Sequence, residues 1–103
     1  MDLKALGESL GLEEDEFIEI VEIFLESADE DVNRLKEALA SRNAEAASEA
    51  AHSLKGSAAN LGFKDIAALA AQLENEARNK SVSGITEALP RLDDMLGQIR
   101  ALV

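Results

Sequence analysis

A long stripe of apolar residues, spaced by three or four positions, constrains the fold of this chain more than any other feature. An α-helix has about 3.6 residues per turn, so side chains at this spacing share one face. The stripe therefore predicts a long helix, from about Glu13 to Ala40, that packs against other helices. Its members are Phe17, Val21, Phe24, Ala28, Val32, Leu35 and Leu39.

The same spacing recurs in the later part of the chain, in segments from Ala44 to Leu61, from about Lys64 to Arg78, and from the polar turn at 79–83 to Val103. A short helix over Met1–Leu10 precedes the long one. Amphipathic helices joined by short turns usually pack as antiparallel neighbours. The sequence thus predicts an all-α protein, an antiparallel up-and-down four-helix bundle with a short extra N-terminal helix, in a single domain covering residues 1–103.

Three residues mark the ends and irregularities of these helices. Asn43 is a suitable N-cap for the third segment, and Gly62 is suited to the left-handed conformation that ends it. Pro90 falls inside the last segment, about 140° from its apolar stripe at about 100° per residue. Its missing N–H then faces water, so we expect a kink and no break.

Composition excludes several classes of function. The chain has 103 residues, 10 basic against 21 acidic side chains, a net charge of −11 and no cysteine. The charge argues against binding to nucleic acid or an anionic membrane. The missing cysteine excludes disulfides, thiol nucleophiles and cysteine-ligated metals. No apolar run is long enough to cross a membrane and no signal peptide is present, so we expect a cytoplasmic protein.

The only histidine, His52, has unusual neighbours. Helical geometry places it about 140° from the apolar stripe of its segment, on the outward face. Gly56 lies one turn further on the same face, where a mid-helix glycine costs about 1 kcal/mol relative to alanine. A glycine there lets another molecule approach the imidazole, and Lys55 lies beside the ring. These residues together favour a site where an anion meets the imidazole.

The segment that contains His52 resembles the signature of histidine-containing phosphotransfer (HPt) domains of bacterial two-component phosphorelays. That signature has a lysine three residues after the histidine, a glycine four after it and another glycine ten after it. His52, Lys55, Gly56 and Gly62 match all four positions. The downstream pair Leu73-Glu74 also fits the pattern usual on the family's next helix.

The resemblance implies a phosphoryl carrier. His52 would accept a phosphoryl group on Nε2 from a receiver-domain aspartate and pass it to another receiver. Lys55 would stabilise the phosphate and Gly56 would give steric access. The implied partners are receiver domains of response regulators or hybrid sensor kinases, which would supply the aspartate and Mg²⁺, so the carrier needs no cofactor of its own. We expect a monomer that is not an enzyme, because no nucleotide-binding motif supports autophosphorylation from ATP. The initial Met1 favours a free-standing protein.

A docking surface and two acidic neighbours of His52 follow from the same helical geometry. On the long helix, Ile18, Ile20 and Ile23 lie away from the core stripe. One of them is expected under the leading helix, and the others are candidates for an apolar docking patch. Glu45 and Glu49 share the exposed face with His52 and would raise its pKa if close enough.

Three alternative functions remain to be weighed. Glu49 and His52 have the Glu-x-x-His spacing of di-iron bundles, but a second such pair is missing and this one faces outward. An acyl carrier needs an Asp-Ser-Leu motif, for which residues 8–10 are a poor substitute. The third alternative is an adaptor or scaffold bundle without phosphotransfer, which explains the fold but not Gly56.

Overall fold

The computed structural model describes residues 2–103, which form five α-helices and no strand. The prediction of an all-α protein is confirmed, and most helix ends agree with the sequence to within a few residues. The last helix ends at Arg100, earlier than predicted, and Met1 lies outside the described residues. The helices are α1 (Leu3–Ser9), α2 (Glu14–Ser41), α3 (Ala44–Asn60), α4 (Lys64–Arg78) and α5 (Ile85–Arg100).

Helices α2 to α5 pack in a ring around one apolar core. Helix α3 contacts α2 and α4, helix α5 closes the ring against both of them, and α1 lies against α2. The described chain measures 42 × 20 × 17 Å. At 1.5 Å per residue the 28 residues of α2 extend over about 42 Å, so this helix runs the length of the molecule.

The apolar stripes predicted from the sequence form this core. Every stripe residue of α2 is buried except Leu39, which is half-buried. The buried face of α3 is nearly all alanine, and small side chains let α2 and α4 approach it closely. Its buried residues are Ala47, Ala50, Ala51, Leu54 and Ala58.

The predicted caps hold α3 at both ends. The Asn43 side chain accepts a hydrogen bond from the backbone N–H of Ala46 at 3.0 Å. Gly62 follows α3 with φ +82°, the left-handed conformation. Beyond it Phe63 is buried, and its ring centroid lies 5.1 Å from that of Phe24 on α2. The α3–α4 turn is therefore tied to the long helix.

Two further sequence expectations concern α5 and membranes. Pro90 is exposed, and α5 continues through it without a break. Within residues 2–103, no helix combines the length and the apolar character needed to cross a bilayer.

Candidate functional site

His52 lies on the exposed side of α3, as the helical geometry predicts, with 65% of its side chain accessible. One ring nitrogen is turned towards the protein: Nδ1 lies 2.7 Å from Oε2 of Glu74 on α4. The imidazole is therefore open to solvent but is held in orientation from one side.

Glu74 is the centre of a charged cluster at the α3–α4 contact. Its side chain is 5% exposed. Lys55 Nζ donates to Oε1 at 2.5 Å, and Arg78 Nη2 donates to Oε2 at 3.0 Å. The Lys55 hydrogen bond is the main cause that lowers the pKa of Glu74, with His52 and Arg78 acting in the same direction against the effect of burial. Glu74 is thus an ionised carboxylate at neutral pH.

The charge of Glu74 decides which nitrogen of His52 carries the proton. An ionised carboxylate only accepts hydrogen bonds, so the contact at 2.7 Å requires Nδ1–H as its donor. In the neutral imidazole the lone pair is then on Nε2. Nε2 forms no hydrogen bond within residues 2–103, so it is available as a nucleophile.

Gly56 leaves open space one turn along α3 from His52. A Cβ atom placed on Gly56 would have no other heavy atom within 4 Å beyond its own helix backbone and chain neighbours. No packing contact in the described chain therefore requires a glycine here. Open space beside an exposed nucleophile is what an approaching partner needs.

A second buried carboxylate lies on the other side of α3. Asp31 on α2 is 2% exposed and accepts a hydrogen bond from Ser53 Oγ at 2.9 Å. Arg34 Nη1 lies 3.5 Å from its other oxygen. Burial is the main cause that raises the pKa of Asp31, and the Ser53 and Arg34 contacts offset only part of that effect.

The structure brings His52 and Lys55 together through Glu74, a contact that helical geometry within α3 does not predict. Helical geometry predicts Lys55 beside the ring and Glu45 and Glu49 as acidic neighbours. Those two side chains are exposed on α3, and the carboxylate that bonds the imidazole comes from α4. A signal was available, because His52 lies about as far before the α3–α4 turn as Glu74 lies after it. Two antiparallel helices joined there would place these residues side by side.

One of the three candidate docking residues packs near α1 and the other two are exposed, as the helical geometry predicts. Ile18 is half-buried and lines a cleft with Leu3 and Lys4 of α1. Ile23 is 68% exposed, the most exposed large apolar side chain among residues 2–103, and Ile20 is also exposed. The described residues contain no group of three or more histidine, cysteine or acidic side chains placed to hold a metal ion.

The helical bundle with an exposed histidine on α3 can be compared with known protein families. The family model described as "Hpt domain" matches residues 19–102. The chain therefore belongs to the Hpt domain family, as its His52 segment suggested. Members of this family are phosphocarrier modules, not kinases, and interact with receiver domains in two-component phosphorelays. No curated protein and no solved structure matched the chain.

Proposed function

We propose that this chain is a phosphoryl carrier in which His52 accepts a phosphoryl group from a receiver aspartate and passes it to another receiver aspartate. The observation that carries the proposal is the bond between Nδ1 of His52 and the buried Glu74, at 2.7 Å. It fixes the ring and leaves the exposed Nε2 with the lone pair. A histidine in this state is nucleophilic without a further base.

The chemical step needs no proton transfer within the chain. Nε2 attacks the phosphorus atom of the aspartyl phosphate, the Nε2–P bond forms, and the P–O bond to the aspartate breaks with its electron pair left on the carboxylate. The ring gains one positive charge, which the neighbouring Glu74 carboxylate stabilises through Nδ1–H. The second transfer reverses these changes on another receiver. Mg²⁺ would come with the receiver, and the carrier would contribute no cofactor.

Lys55 is proposed to stabilise the phosphate. Its ammonium group has three N–H donors, of which the bond to Glu74 Oε1 uses one. It can therefore keep Glu74 and contact a phosphoryl group on the same side of α3. Arg78 is a second cation on the same carboxylate, and its side chain is largely exposed. Because phosphoryl transfer depends mainly on positioning and charge stabilisation, these are the groups that the carrier must supply.

Gly56 is proposed to give the receiver access to the imidazole ring. A larger side chain at this position should therefore slow transfer without destabilising the helix. Gly56→Gln should stabilise α3 by about 0.5–1 kcal/mol, because glutamine favours helix over glycine and the site is open. The same side chain should slow transfer by roughly tenfold or more through misplacement of the partner. Gly97→Gln in α5, also open around its Cβ position, is the matched control and should leave transfer unchanged. An unchanged rate in Gly56→Gln would remove the steric argument.

The partner would dock with the help of Ile20 and Ile23, at a distance from His52 along the bundle. Phe24 packs on Phe63, so these isoleucines lie near the level where α3 ends. We further propose an antiparallel up-and-down arrangement of α2 to α5 with α1 as the extra helix, in a single HPt domain over residues 1–103. The protein would act as a cytoplasmic monomer without nucleic-acid or membrane partners.

The direct test is transfer of labelled phosphate from a panel of phosphorylated receiver domains. The chain should acquire a label that is labile in acid and stable in base, as expected for a phosphoryl group on nitrogen. His52→Gln should acquire none while keeping the helical content of the parent chain. Full labelling of that variant would refute the site. A parent chain that binds receivers without acquiring label would instead support the adaptor alternative.

A further inference from the structure

Asp31 and Ser53 form a hydrogen-bonded pair that takes no part in the proposed phosphoryl transfer at His52. Ser53 follows His52 directly in α3, and its hydroxyl donates to Asp31 of α2 at 2.9 Å. Ser53 is bonded towards α2 and His52 towards Glu74 of α4. This turn of α3 is thus held from two sides, one of them by a carboxylate that is 2% exposed.

A carboxylate at position 31 is costly to bury. Burial raises the pKa of Asp31, which shows that its surroundings disfavour the charged form. An apolar side chain of similar volume avoids that cost, and such replacements of buried charges are often neutral or stabilising. Ser53 and Arg34 are both exposed, so neither would be left as a buried group without a partner.

The apolar packing between α2 and α3 uses mostly small side chains on the α3 face. The buried face of α3 has one large side chain, Leu54, among alanines. Small side chains let the helices approach closely but offer few long side chains that interdigitate across the contact. Within residues 2–103 the Ser53–Asp31 bond is the only side-chain hydrogen bond between α2 and α3. Together with the short α2–α3 turn and the Phe24–Phe63 contact, this directional bond holds α3 in one register and one rotation on α2.

That register sets the distance between His52 and the candidate docking surface. Ile23 lies eight residues before Asp31 on α2, which is about 12 Å along the helix axis. A receiver held at Ile20 and Ile23 presents its aspartyl phosphate at a fixed point. A slip of α3 by one residue would move His52 by about 1.5 Å, and misplacements of about 1 Å can cost 10²-fold in rate.

We infer that Asp31 is a positioning residue for phosphoryl transfer: through Ser53 it fixes α3 on α2, so that His52 meets the phosphoryl group of a receiver docked on α2. This inference rests on the proposed function. It assigns Asp31 no contact with the phosphoryl group.

The experiment compares transfer and stability in Asp31→Leu, Asp31→Asn and Ser53→Ala. Asp31→Leu should fold at least as stably as the parent chain, yet transfer at saturating receiver should slow by roughly tenfold, with less than about twofold change in the half-saturating receiver concentration. Asp31→Asn keeps an oxygen that accepts from Ser53, so its rate should stay within about threefold of the parent. The matched control is Asp29→Asn, which makes the same chemical change at the exposed ion pair of Asp29 with Arg100 and should not affect transfer.

Ser53→Ala supplies a second, independent test at an exposed position. It should slow transfer as much as Asp31→Leu, and the double variant should be no slower than either single variant, because both remove the same bond. Transfer rates equal to the parent's in both Asp31→Leu and Ser53→Ala would overturn the inference. A transfer rate that falls only in variants that are also less stable would overturn it as well. If the parent chain acquires no phosphate from any receiver, the proposed function itself has failed, which is a different result.

Discussion

Glu74 and Asp31 are the two ionisable side chains buried within residues 2–103, and they flank the same turn of α3. Glu74 comes from α4 and is bonded by His52, Lys55 and Arg78, whereas Asp31 comes from α2 and is bonded by the neutral hydroxyl of Ser53. Their pKa values move in opposite directions, down for Glu74 and up for Asp31. Desolvation by burial is the main cause of the pKa shift for Asp31, whereas the Lys55 hydrogen bond outweighs the effect of burial for Glu74.

The two carboxylates also differ in what they do for His52. Glu74 bonds the imidazole through Nδ1. In the proposed function it would also stabilise the positive charge that phosphorylation of Nε2 would create on the ring. Asp31 does not contact His52. It bonds Ser53, the next residue on α3, and in our inference it thereby positions that helix. The first role requires an ionised group, and the second requires only an acceptor in the right place.

The largest difference in the free energy of unfolding is expected between Glu74→Gln and Asp31→Asn at neutral pH. Glu74→Gln should lower the free energy of unfolding by about 2 kcal/mol, because Lys55 and Arg78 lose their anionic partner and one acceptor oxygen is replaced by an NH₂ group that cannot accept from them. Asp31→Asn should leave it unchanged or raise it by up to about 1 kcal/mol, because a buried charge is removed and the Ser53 bond is kept. Urea unfolding at pH 7 measures both. Equal losses would show that the two sites do not differ as described.

The pH dependence of stability should separate the same pair. Because the pKa of Glu74 is lowered in the folded state, its contribution is present above the ordinary value of 4.5 and is lost as pH falls through the folded pKa. Because the pKa of Asp31 is raised, its contribution is present below the ordinary value of 3.8 and is lost as pH rises through the folded pKa.

Unfolding of the parent chain and both amide variants between about pH 3 and pH 7 tests these signs. The advantage of the parent over Glu74→Gln should shrink on acidification. The stability of the parent chain relative to Asp31→Asn should instead increase on acidification over the same range. Parallel curves for the two comparisons would contradict the assigned pKa directions.

The smallest effects are expected at the cations beside each carboxylate. Lys55→Met should cost about 1 kcal/mol, because the Lys55–Glu74 bond is partly shielded from water. Arg34→Met should change stability by less than about 0.5 kcal/mol, because Arg34 is exposed and its contact with Asp31 is long. Lys55→Met should also slow transfer, whereas Arg34→Met should not. A larger loss in Arg34→Met would mean that Asp31 depends on its charge partner after all.

The fold was largely predictable because local sequence determines most of it. The apolar stripe from Phe17 to Leu39 defines α2, and Asn43 and Gly62 mark the ends of α3 with the cap geometry expected of them. The prediction was less accurate at the C-terminus, where the apolar residues 101–103 extend the helical pattern but α5 ends at Arg100. Apolar spacing alone does not identify the point at which a helix loses its packing partners.

The site was predictable only as far as one helix extends. His52, Lys55 and Gly56 belong to a single segment, so their relation follows from helical geometry. The partners of His52 and Ser53 lie on other helices, α4 and α2. Counting residues from the α3–α4 turn could have placed Glu74 beside His52, but the contact of Ser53 with Asp31 depends on the register between α2 and α3, which single-segment patterns do not encode.

In the proposed function, Glu74 keeps the proton on Nδ1 of His52 and leaves Nε2 to take the phosphoryl group, and NMR tests this directly. The chain has one histidine, so NMR of the ¹⁵N-labelled imidazole reports on that ring alone. After phosphorylation by a receiver or by phosphoramidate, the account predicts ¹⁵N–³¹P coupling at Nε2 with Nδ1 still protonated. Coupling at Nδ1, or a phosphorylated chain with no coupling to either nitrogen, would contradict it.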